Sequence, residues 1–181
     1  MASAFSHAIA SLAIGKVNFR SVHTWKYWLL GIFCAVIPDA DAIGFKMGVS
    51  YDSVWGHRGI THSFFFAFLL AAVVMFLFYR TERSFTKSWW ALYLTFSIST
   101  ASHPILDAFT NGGLGVAFFA PFWNERYFFP WRVIQVSPIG ITRFFSRWGV
   151  EVLKTEFIWV WMPSLIIIFI TDIIRRNNVR R

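Results

Sequence analysis

The chain has 181 residues, of which 56% are apolar, 20% aromatic and only 14% charged. Soluble domains average about 25% charged residues, well above this chain. The low charge and the mean hydropathy of +0.53 together exclude a disordered chain, a collagen, a coiled coil and an ordinary cytosolic domain. Seventeen basic residues against nine acidic ones give a net charge of +8. In a membrane protein we attribute this charge to anionic headgroups and orientation signals, and we expect no nucleic-acid partner.

The apolar runs predict an all-α fold, a polytopic membrane helical bundle of four to five membrane segments in one integral-membrane domain. The predicted segments cover about 2–17, 27–45, 64–79, 89–109 and 157–174, and a long aromatic interfacial loop covers 110–155. The last three can each cross a core of about 30 Å, whereas the first two are marginal alone and are predicted to form a tilted hairpin. The first segment lacks a basic n-region, so no cleavable signal peptide is expected.

The single cysteine, Cys34, excludes an intramolecular disulfide and any cysteine-based zinc site. It lies in the apolar run Gly31-Ile32-Phe33-Cys34-Ala35-Val36. A buried, inert thiol is therefore predicted.

The basic residues predict the orientation of the segments. If the first segment begins outside, ten of the 17 basic residues fall inside, in short loops or the tail. They are Lys16, Arg20, Lys26, Arg80, Arg83, Lys87, Arg175, Arg176, Arg180 and Arg181. We therefore predict a multi-pass protein whose cytoplasmic side holds both hairpin turns and the tail, with the other segment ends on the outer side.

Histidines and aspartates gather at those outer segment ends, although they were not used to choose the orientation. Four separate stretches of chain supply His7, Asp39, Asp41, His57, His62, His103 and Asp107, and only His23 falls on the inner side. Clustered carboxylates near hydrocarbon repel one another unless a cation neutralises them. Imidazole and carboxylate ligands predict one or two divalent ions, Zn²⁺ first, with Mn²⁺ or Fe²⁺ as alternatives.

The string Ser102-His103-Pro104-Ile105-Leu106-Asp107 places His103 and Asp107 four residues apart. On a helix these two side chains share one face, which suits joint ligation of a metal. Pro104 removes a backbone hydrogen bond and is expected to kink the helix. The alternative is a local histidine–aspartate hydrogen bond at a helix end.

Pro38-Asp39-Ala40-Asp41 follows an apolar run, where the proline should end or redirect the helix. Two carboxylates in the following turn favour at least one metal ligand over a simple helix cap. Asp41 is slightly favoured as the ligand, and the choice between Asp39 and Asp41 stays open.

Gly56-His57-Arg58-Gly59-Ile60-Thr61-His62-Ser63 is the densest motif. We expect His57, His62 or both to bind metal, Thr61 or Ser63 to cap the third helix, and Arg58 to bind phosphate oxygens. The alternative is a basic interfacial loop that binds lipid headgroups without chemistry.

Two weaker signals complete the candidate site. His7 lies on an apolar stretch, where a lone histidine is more often a packing residue, but its position at the outer side makes it a candidate metal ligand. In the aromatic loop, Arg126 and Arg132 are candidates for substrate binding through phosphate. The alternative for that loop is simple anchoring in the bilayer.

These motifs together, with the 121–138 loop, resemble the YdjM-type bacterial inner-membrane proteins. The resemblance covers nearly the whole chain and rests on His-Arg-Gly-x-Thr-His-Ser followed by Ser-His-x-x-x-Asp. It implies a membrane-bound, metal-dependent hydrolase of the bacterial inner (cytoplasmic) membrane, so that the outer side, which carries the candidate site, faces the periplasm.

A more distant resemblance is to the zinc-dependent phospholipase C and S1/P1 nuclease fold, whose helical enzymes hold three zinc ions. The order His7, Asp39 or Asp41, His57 or His62, then His103 with Asp107 is similar to the first part of their ligand order. No histidine follows His103, so one or two ions are expected here.

The predicted reaction is hydrolysis of a lipid phosphoester, such as a phospholipid or a polyprenyl phosphate, by a metal-activated water. Asp39 is the predicted general base, and Arg58 is predicted to stabilise charge on the phosphoryl oxygens. The alternatives are a non-enzymatic metal or proton carrier and a stress-response membrane protein with a structural metal site. The sequence leaves the oligomeric state open.

Overall fold

The computed structural model of the chain describes residues 1–18 and 24–179. The predictions made for Arg20, His23, Arg180 and Arg181 fall outside these residues. Everything below concerns the described part of the chain.

Helices dominate the described residues, which contain no strand, and the all-α prediction is confirmed. The α-helices are α1 (Ala4–Asn18), α2 (Trp25–Val36), α3 (Phe64–Phe78), α4 (Lys87–Ala108), α5 (Ile141–Phe144), α6 (Arg147–Glu156) and α7 (Met162–Val179). Two 3₁₀ helices cover Ile37–Met47 and Ile60–His62, and a π-helical turn, Phe157–Trp161, joins α6 to α7. Extended backbone pairs at two isolated bridges, Thr110 with Ile134 and Val116 with Tyr127.

Local sequence explains where the helices near the site begin and end. The Ser63 hydroxyl accepts a hydrogen bond from the Phe66 amide at 3.1 Å and caps α3, as predicted for this residue or Thr61. Helix α2 ends at Val36, and the chain tightens into a 3₁₀ helix with Pro38 in its first turn. Helix α4 runs through Pro104 to Ala108 without interruption.

Helix α4 lies at the centre of the bundle and packs against α1, α2 and α3. The largest apolar core joins α2, α3 and α4, and it includes Cys34, whose side chain is free and fully buried as predicted. Its members are Tyr27, Leu30, Cys34, Ala71, Val74, Met75, Leu92 and Phe96. Outward faces of α3 and α7 are apolar and exposed, which is the surface that lipid requires.

The prediction of four to five membrane segments is only partly matched. Two described helices are long and apolar enough to cross a membrane by length and composition, Trp25–Met47 and Arg147–Asn178. The first gains its length from the 3₁₀ helix that continues α2. Helix α3 is apolar but has 15 residues, so its axis measures about 22 Å against a core of about 30 Å. Buried hydroxyl groups lower the hydropathy of α4.

The predicted loop of 110–155 is wrong at its C-terminal end. Helix α5 begins at Ile141 and α6 at Arg147, where the Ser146 hydroxyl accepts a hydrogen bond from the Trp148 amide at 3.2 Å. The remaining loop folds back over the start of α3. The Ala117 amide donates to the Arg58 carbonyl, and the Phe64 amide donates to the Phe118 carbonyl, each at 3.0 Å.

Charged contacts join helix ends at the side of the bundle that the sequence predicts to be cytoplasmic. Lys16, near the end of α1, forms an ion pair with Asp172 of α7 at 2.7 Å. Lys26, at the start of α2, donates a hydrogen bond to the carbonyl of Phe78 at the end of α3. The opposite ends of these helices supply the predicted histidines and aspartates.

Candidate metal centre

Four side-chain atoms from four predicted motif residues converge in the interior. The Nε2 atoms of His62 and His103 lie 3.0 Å apart. Asp39 Oδ1 lies 3.6 Å from His62 Nε2 and 3.3 Å from His103 Nε2. Asp107 Oδ2 lies 3.5 Å from His62 Nε2 and 3.8 Å from His103 Nε2. The structure therefore brings together residues from three of the predicted motifs, 38–41, 56–63 and 102–107.

These separations match the edges of a small tetrahedral coordination shell. A zinc ion binds nitrogen and oxygen ligands at about 2.0–2.2 Å, which places tetrahedral ligands about 3.3–3.6 Å from one another. Five of the six distances between these four atoms range from 3.0 to 3.8 Å, and all four atoms lie within 4.8 Å of one another. The spacing is that of a group that could hold one divalent ion.

Three local structures deliver the four donors. One turn of α4 places His103 and Asp107 on the same helix face, and both are fully buried. The 3₁₀ helix Ile37–Met47 carries Asp39, and the short 3₁₀ helix before α3 carries His62, which is also fully buried. Gly59, which begins that short helix, cannot carry a side chain because its Cβ would lie 2.2 Å from the Val54 carbonyl oxygen.

Hydrogen bonds orient both imidazoles so that Nε2 faces the cluster. His103 Nδ1 donates to the Ala35 carbonyl at 2.7 Å, which leaves Nε2 as the acceptor nitrogen. His62 Nδ1 lies 3.1 Å from Asp41 Oδ2. A carboxylate or carbonyl behind a ligating histidine is the usual outer support of a metal site.

Asp41 sits behind the cluster and links four groups. Its Oδ1 lies 2.6 Å from His57 Nδ1, and its Oδ2 accepts hydrogen bonds from the Thr61 hydroxyl at 2.5 Å and the Arg58 amide at 3.2 Å. Asp41, His57 and His62 form a second group of closely spaced donor atoms. Because Asp41 faces the far nitrogen of His62, its position is that of an outer support for the first group.

The donor set fits a cation electrostatically as well as geometrically. No described group donates a hydrogen bond to either oxygen of Asp39 or to Asp107 Oδ2, although all three atoms are buried. Buried carboxylate oxygens without a partner are costly unless a cation neutralises them. Burial disfavours a charged imidazole at His62, yet the neighbouring carboxylates of Asp107, Asp39 and Asp41 raise its pKa to about 10. The site therefore stabilises positive charge strongly.

Arg58 is fully buried, and its contacts are with protein groups. Its Nε lies 3.2 Å from Asp107 Oδ2. Nη1 donates to the Gly112 carbonyl at 2.8 Å, and Nη2 donates to the Thr110 hydroxyl at 2.9 Å. The residue has a left-handed backbone with φ of 63°. This placement makes Arg58 a fixed counter-charge for Asp107.

His7 lies at the edge of the cluster. Its ring stacks on His103 with centroids 3.6 Å apart, and its Nε2 lies 3.6 Å from Asp107 Oδ1. Neither ring nitrogen has a hydrogen-bond partner among the described residues. His7 is thus close enough to Asp107 to join an expanded metal site and also serves as a packing partner of His103.

The two loop arginines have different environments. Arg126 is partly buried, and its guanidinium donates to the backbone carbonyls of Tyr51, Ser53 and His57, which fastens the loop to the motif around Arg58. Arg132 is exposed, with its guanidinium 4.0 Å from the ring centroid of Phe128. The prediction that these two residues bind substrate stays a prediction, and Arg132 is the more accessible.

Sequence reasoning missed Glu156, a fully buried carboxylate at the end of α6. It accepts hydrogen bonds from the amide and hydroxyl of Ser3 and from the Ser6 hydroxyl. The available signal was a single acidic residue at the boundary of the last apolar run, which is as typical of an exposed residue. Its partners lie 150 or more positions away and no local pattern predicts them.

Comparisons with known proteins agree on a membrane family. The family model of the YdjM inner membrane proteins matches residues 1–179. Inner membrane protein YbcI of Escherichia coli strain K12 is 39% identical over 167 residues, covering 92% of this chain and 95% of that protein. No solved structure matches the chain. The more distant resemblance to the phospholipase C and nuclease fold receives no support from these comparisons.

Proposed function

The chain belongs to the YdjM inner membrane protein family, and we propose that it acts there as a membrane-bound, metal-dependent hydrolase. The observation that carries the proposal is the convergence of His62, His103, Asp39 and Asp107 on one small volume. Four such side chains in a membrane protein's interior are costly without a bound cation. Nitrogen and oxygen ligands favour Zn²⁺, with Mn²⁺ or Fe²⁺ as alternatives.

In this proposal the chain's own residues hold the metal and the reacting groups. His62, His103 and Asp107 are fixed ligands, because each has an outer hydrogen-bond or ionic partner in the structure. When bound, a divalent cation supplies Lewis acidity that activates water and polarises a phosphoryl oxygen. A second ion would use the group of Asp41 and His57, or His7 beside Asp107.

Asp39 is the proposed general base. Its side chain is the most exposed of the four, at 10%, while the other three are completely buried. Its two oxygens accept no hydrogen bond from a described residue. Such a carboxylate can face a cation with one oxygen and take a proton from water with the other. In this scheme Arg58 forms an ion pair with Asp107 and keeps that carboxylate ionised. The sequence motif predicted that Arg58 contacts the substrate instead.

We propose a multi-pass arrangement with the site at the periplasmic side. In this arrangement the chain crosses the membrane five times, with α1, α2, α3, α4 and the α6–α7 helix as the successive passes. The contacts of Lys16 with Asp172 and of Lys26 with the Phe78 carbonyl support a common inner side for the basic ends. The positive-inside rule assigns that side to the cytoplasm.

A lipid phosphoester is the proposed substrate class. Exposed aromatic residues of the loop near the site suit the headgroup region, among them Phe119, Phe122, Trp123 and Trp131. Arg132 adds an exposed cation for a phosphate. A site at the end of lipid-facing helices would receive its substrate from the bilayer.

Metal analysis followed by a substrate screen tests the function. We expect purified protein to contain about one divalent ion per chain, and His62→Ala and His103→Ala to lose most of it. Asp172→Asn, which removes an aspartate at the opposite end, is the control and should retain the metal. The active protein should then release phosphate or headgroup from lipid phosphoesters until a chelator is added. Turnover that continues unchanged after the chelator is added would contradict the mechanism.

A structural metal site is the second candidate, and one observation favours it. Four protein ligands at tetrahedral spacing fill the shell of a structural zinc ion, whereas catalytic sites keep one position open. Substitution by Co²⁺ separates the two candidates, since a four-coordinate site without water gives an intense visible spectrum that added phosphate does not change. A spectrum that shifts with phosphate supports the hydrolase.

A further inference from the structure

Glu156 connects the last long helix to the N-terminal segment. Its carboxylate is fully buried and accepts hydrogen bonds from the Ser3 amide, the Ser3 hydroxyl and the Ser6 hydroxyl, the last at 2.8 Å. A buried carboxylate with three donors from one short segment holds that segment in one position.

The π-helical turn after Glu156 strengthens this connection. The Trp161 indole also donates to the Ser6 hydroxyl, at 2.8 Å. In a regular α-helix, positions five apart point about 140° away from each other. The wider turn over Phe157–Trp161 closes a hydrogen bond from residue i to i+5, so Glu156 and Trp161 can reach the same hydroxyl.

The clamped segment contacts the metal centre at Asp107 and at His103. Next to Ser3, the Ala2 amide donates to Asp107 Oδ1 at 2.6 Å. That bond fixes one carboxylate oxygen and leaves Oδ2 directed at His62 Nε2 and Arg58 Nε. One turn beyond Ser3, His7 stacks on the ring of His103. Two of the four convergent residues are thus supported by the segment that Glu156 holds.

We propose that Glu156 is a positioning residue of the metal centre, which sets the direction of Asp107 through Ser3 and the Ala2 amide. The proposal rests on the proposed function only in that the centre binds a cation. Outer partners of metal ligands typically change affinity by 10–100-fold, although they touch no metal. Glu156 is placed one step further out, behind the group that orients the ligand.

Zinc affinity of the full-length protein, measured by chelator competition, tests this role. We expect Glu156→Gln to lower the affinity about tenfold or more. Glu151→Gln is the matched control, because this glutamate on the same helix is 61% exposed and pairs only with Lys154 among the described residues. The control should bind zinc as the natural chain does.

The variant Ser3→Ala separates positioning from a general loss of stability. It removes one donor to Glu156 and keeps the backbone amides of Ser3 and Ala2. We expect it to weaken zinc binding several-fold and to lower the melting temperature of the metal-free protein less than Glu156→Gln does, and we expect the double variant to lose little more zinc affinity than Glu156→Gln alone. The Co²⁺ spectrum should change in the same variants, since the Asp107 ligand is reoriented.

The outcomes are distinct. Unchanged zinc affinity in Glu156→Gln and Ser3→Ala, with normal binding by the natural chain, overturns the positioning role and leaves the proposed function intact. If Glu156→Gln fails to fold, Ser3→Ala decides alone, and unchanged affinity there overturns the role. A natural chain that binds no divalent ion overturns the proposed function and this inference with it.

Discussion

The Nε2 atoms of His62 and His103 lie 3.0 Å apart, although 41 positions separate the two residues along the chain. Their Nδ1 atoms face Asp41 and the Ala35 carbonyl, so both Nε2 atoms point into the same volume. Two imidazole lone pairs at this distance repel unless a proton or a cation lies between them. A proton and a metal cation therefore compete for the space between the two nitrogens, and the first two predictions follow from this competition.

The outer support of His62 should control metal affinity. We expect Asp41→Asn to weaken divalent-ion binding about 10–100-fold, because it removes the negative charge behind His62 Nδ1 and disturbs His57. Asp52→Asn is the control, since Asp52 is exposed and accepts a hydrogen bond from Ser50 at the surface. Chelator competition measures both affinities. Equal binding by Asp41→Asn and the natural chain would show that Asp41 supports no ligand.

Metal affinity should rise with pH. In the metal-free protein the pKa of His62 is raised from 6.5 to about 10, so the imidazole carries a proton that a cation must displace. Below that pKa, each unit of acidification should weaken binding about tenfold for one displaced proton. The raised pKa also stabilises the metal-free fold below about 6.5, and this stabilisation is lost as pH rises through about 10.

Calorimetry in buffers of different ionisation enthalpy tests this prediction. The apparent binding enthalpy should change with the buffer in proportion to about one released proton per ion. Identical enthalpies in all buffers at neutral pH would mean that no proton leaves, and the proposed competition at His62 would be wrong.

Much of the donor set was predictable, because local rules act over one helical turn. The spacing of His103 and Asp107 predicted their shared face, and Ser63 was a predicted cap. The different positions of Asp39 and Asp41 were not predicted. In a 3₁₀ helix of three residues per turn, positions two apart point about 120° away from each other, so Asp39 faces the two Nε2 atoms and Asp41 faces His57. No pattern in the sequence indicated a 3₁₀ helix at this point.

The role of Arg58 shows a second limit of sequence reasoning. A charged residue in a dense motif resembles a phosphate-binding group, yet here the guanidinium is buried against Asp107, Thr110 and Gly112. Its environment depends on the loop after α4, which folds over the motif from more than 50 positions away. Contacts between residues this far apart in the sequence produce no local sequence pattern.

Removing the Arg58 charge should affect folding and metal binding in opposite directions. We expect Arg58→Met to destabilise the metal-free protein by about 3 kcal/mol, because it leaves Asp107 without its buried counter-charge. The same change should strengthen cation binding, since the guanidinium no longer competes for Asp107 Oδ2. Arg132→Met removes an exposed arginine and should change the stability by less than about 0.5 kcal/mol.

Thermal unfolding with and without zinc measures both effects of Arg58→Met. The metal-free variant should melt lower than the natural chain, and the increase in melting temperature on adding zinc should be larger. A variant that melts lower and also gains less from zinc would indicate that Arg58 holds the cluster in shape instead of competing for its charge.

Single-cysteine labelling should place the loop and the α3–α4 turn on opposite sides of the membrane. Cys34 is fully buried, so it gives little background with a membrane-impermeant maleimide. Asn124 and Ser84 are both exposed, the first in the aromatic loop and the second between α3 and α4. We expect Asn124→Cys to react in intact spheroplasts and Ser84→Cys to react only after permeabilisation. The positive-inside rule requires this order, because Arg80, Arg83 and Lys87 flank Ser84. Labelling of Ser84→Cys in intact cells would reverse the orientation and move the metal centre to the cytoplasmic side.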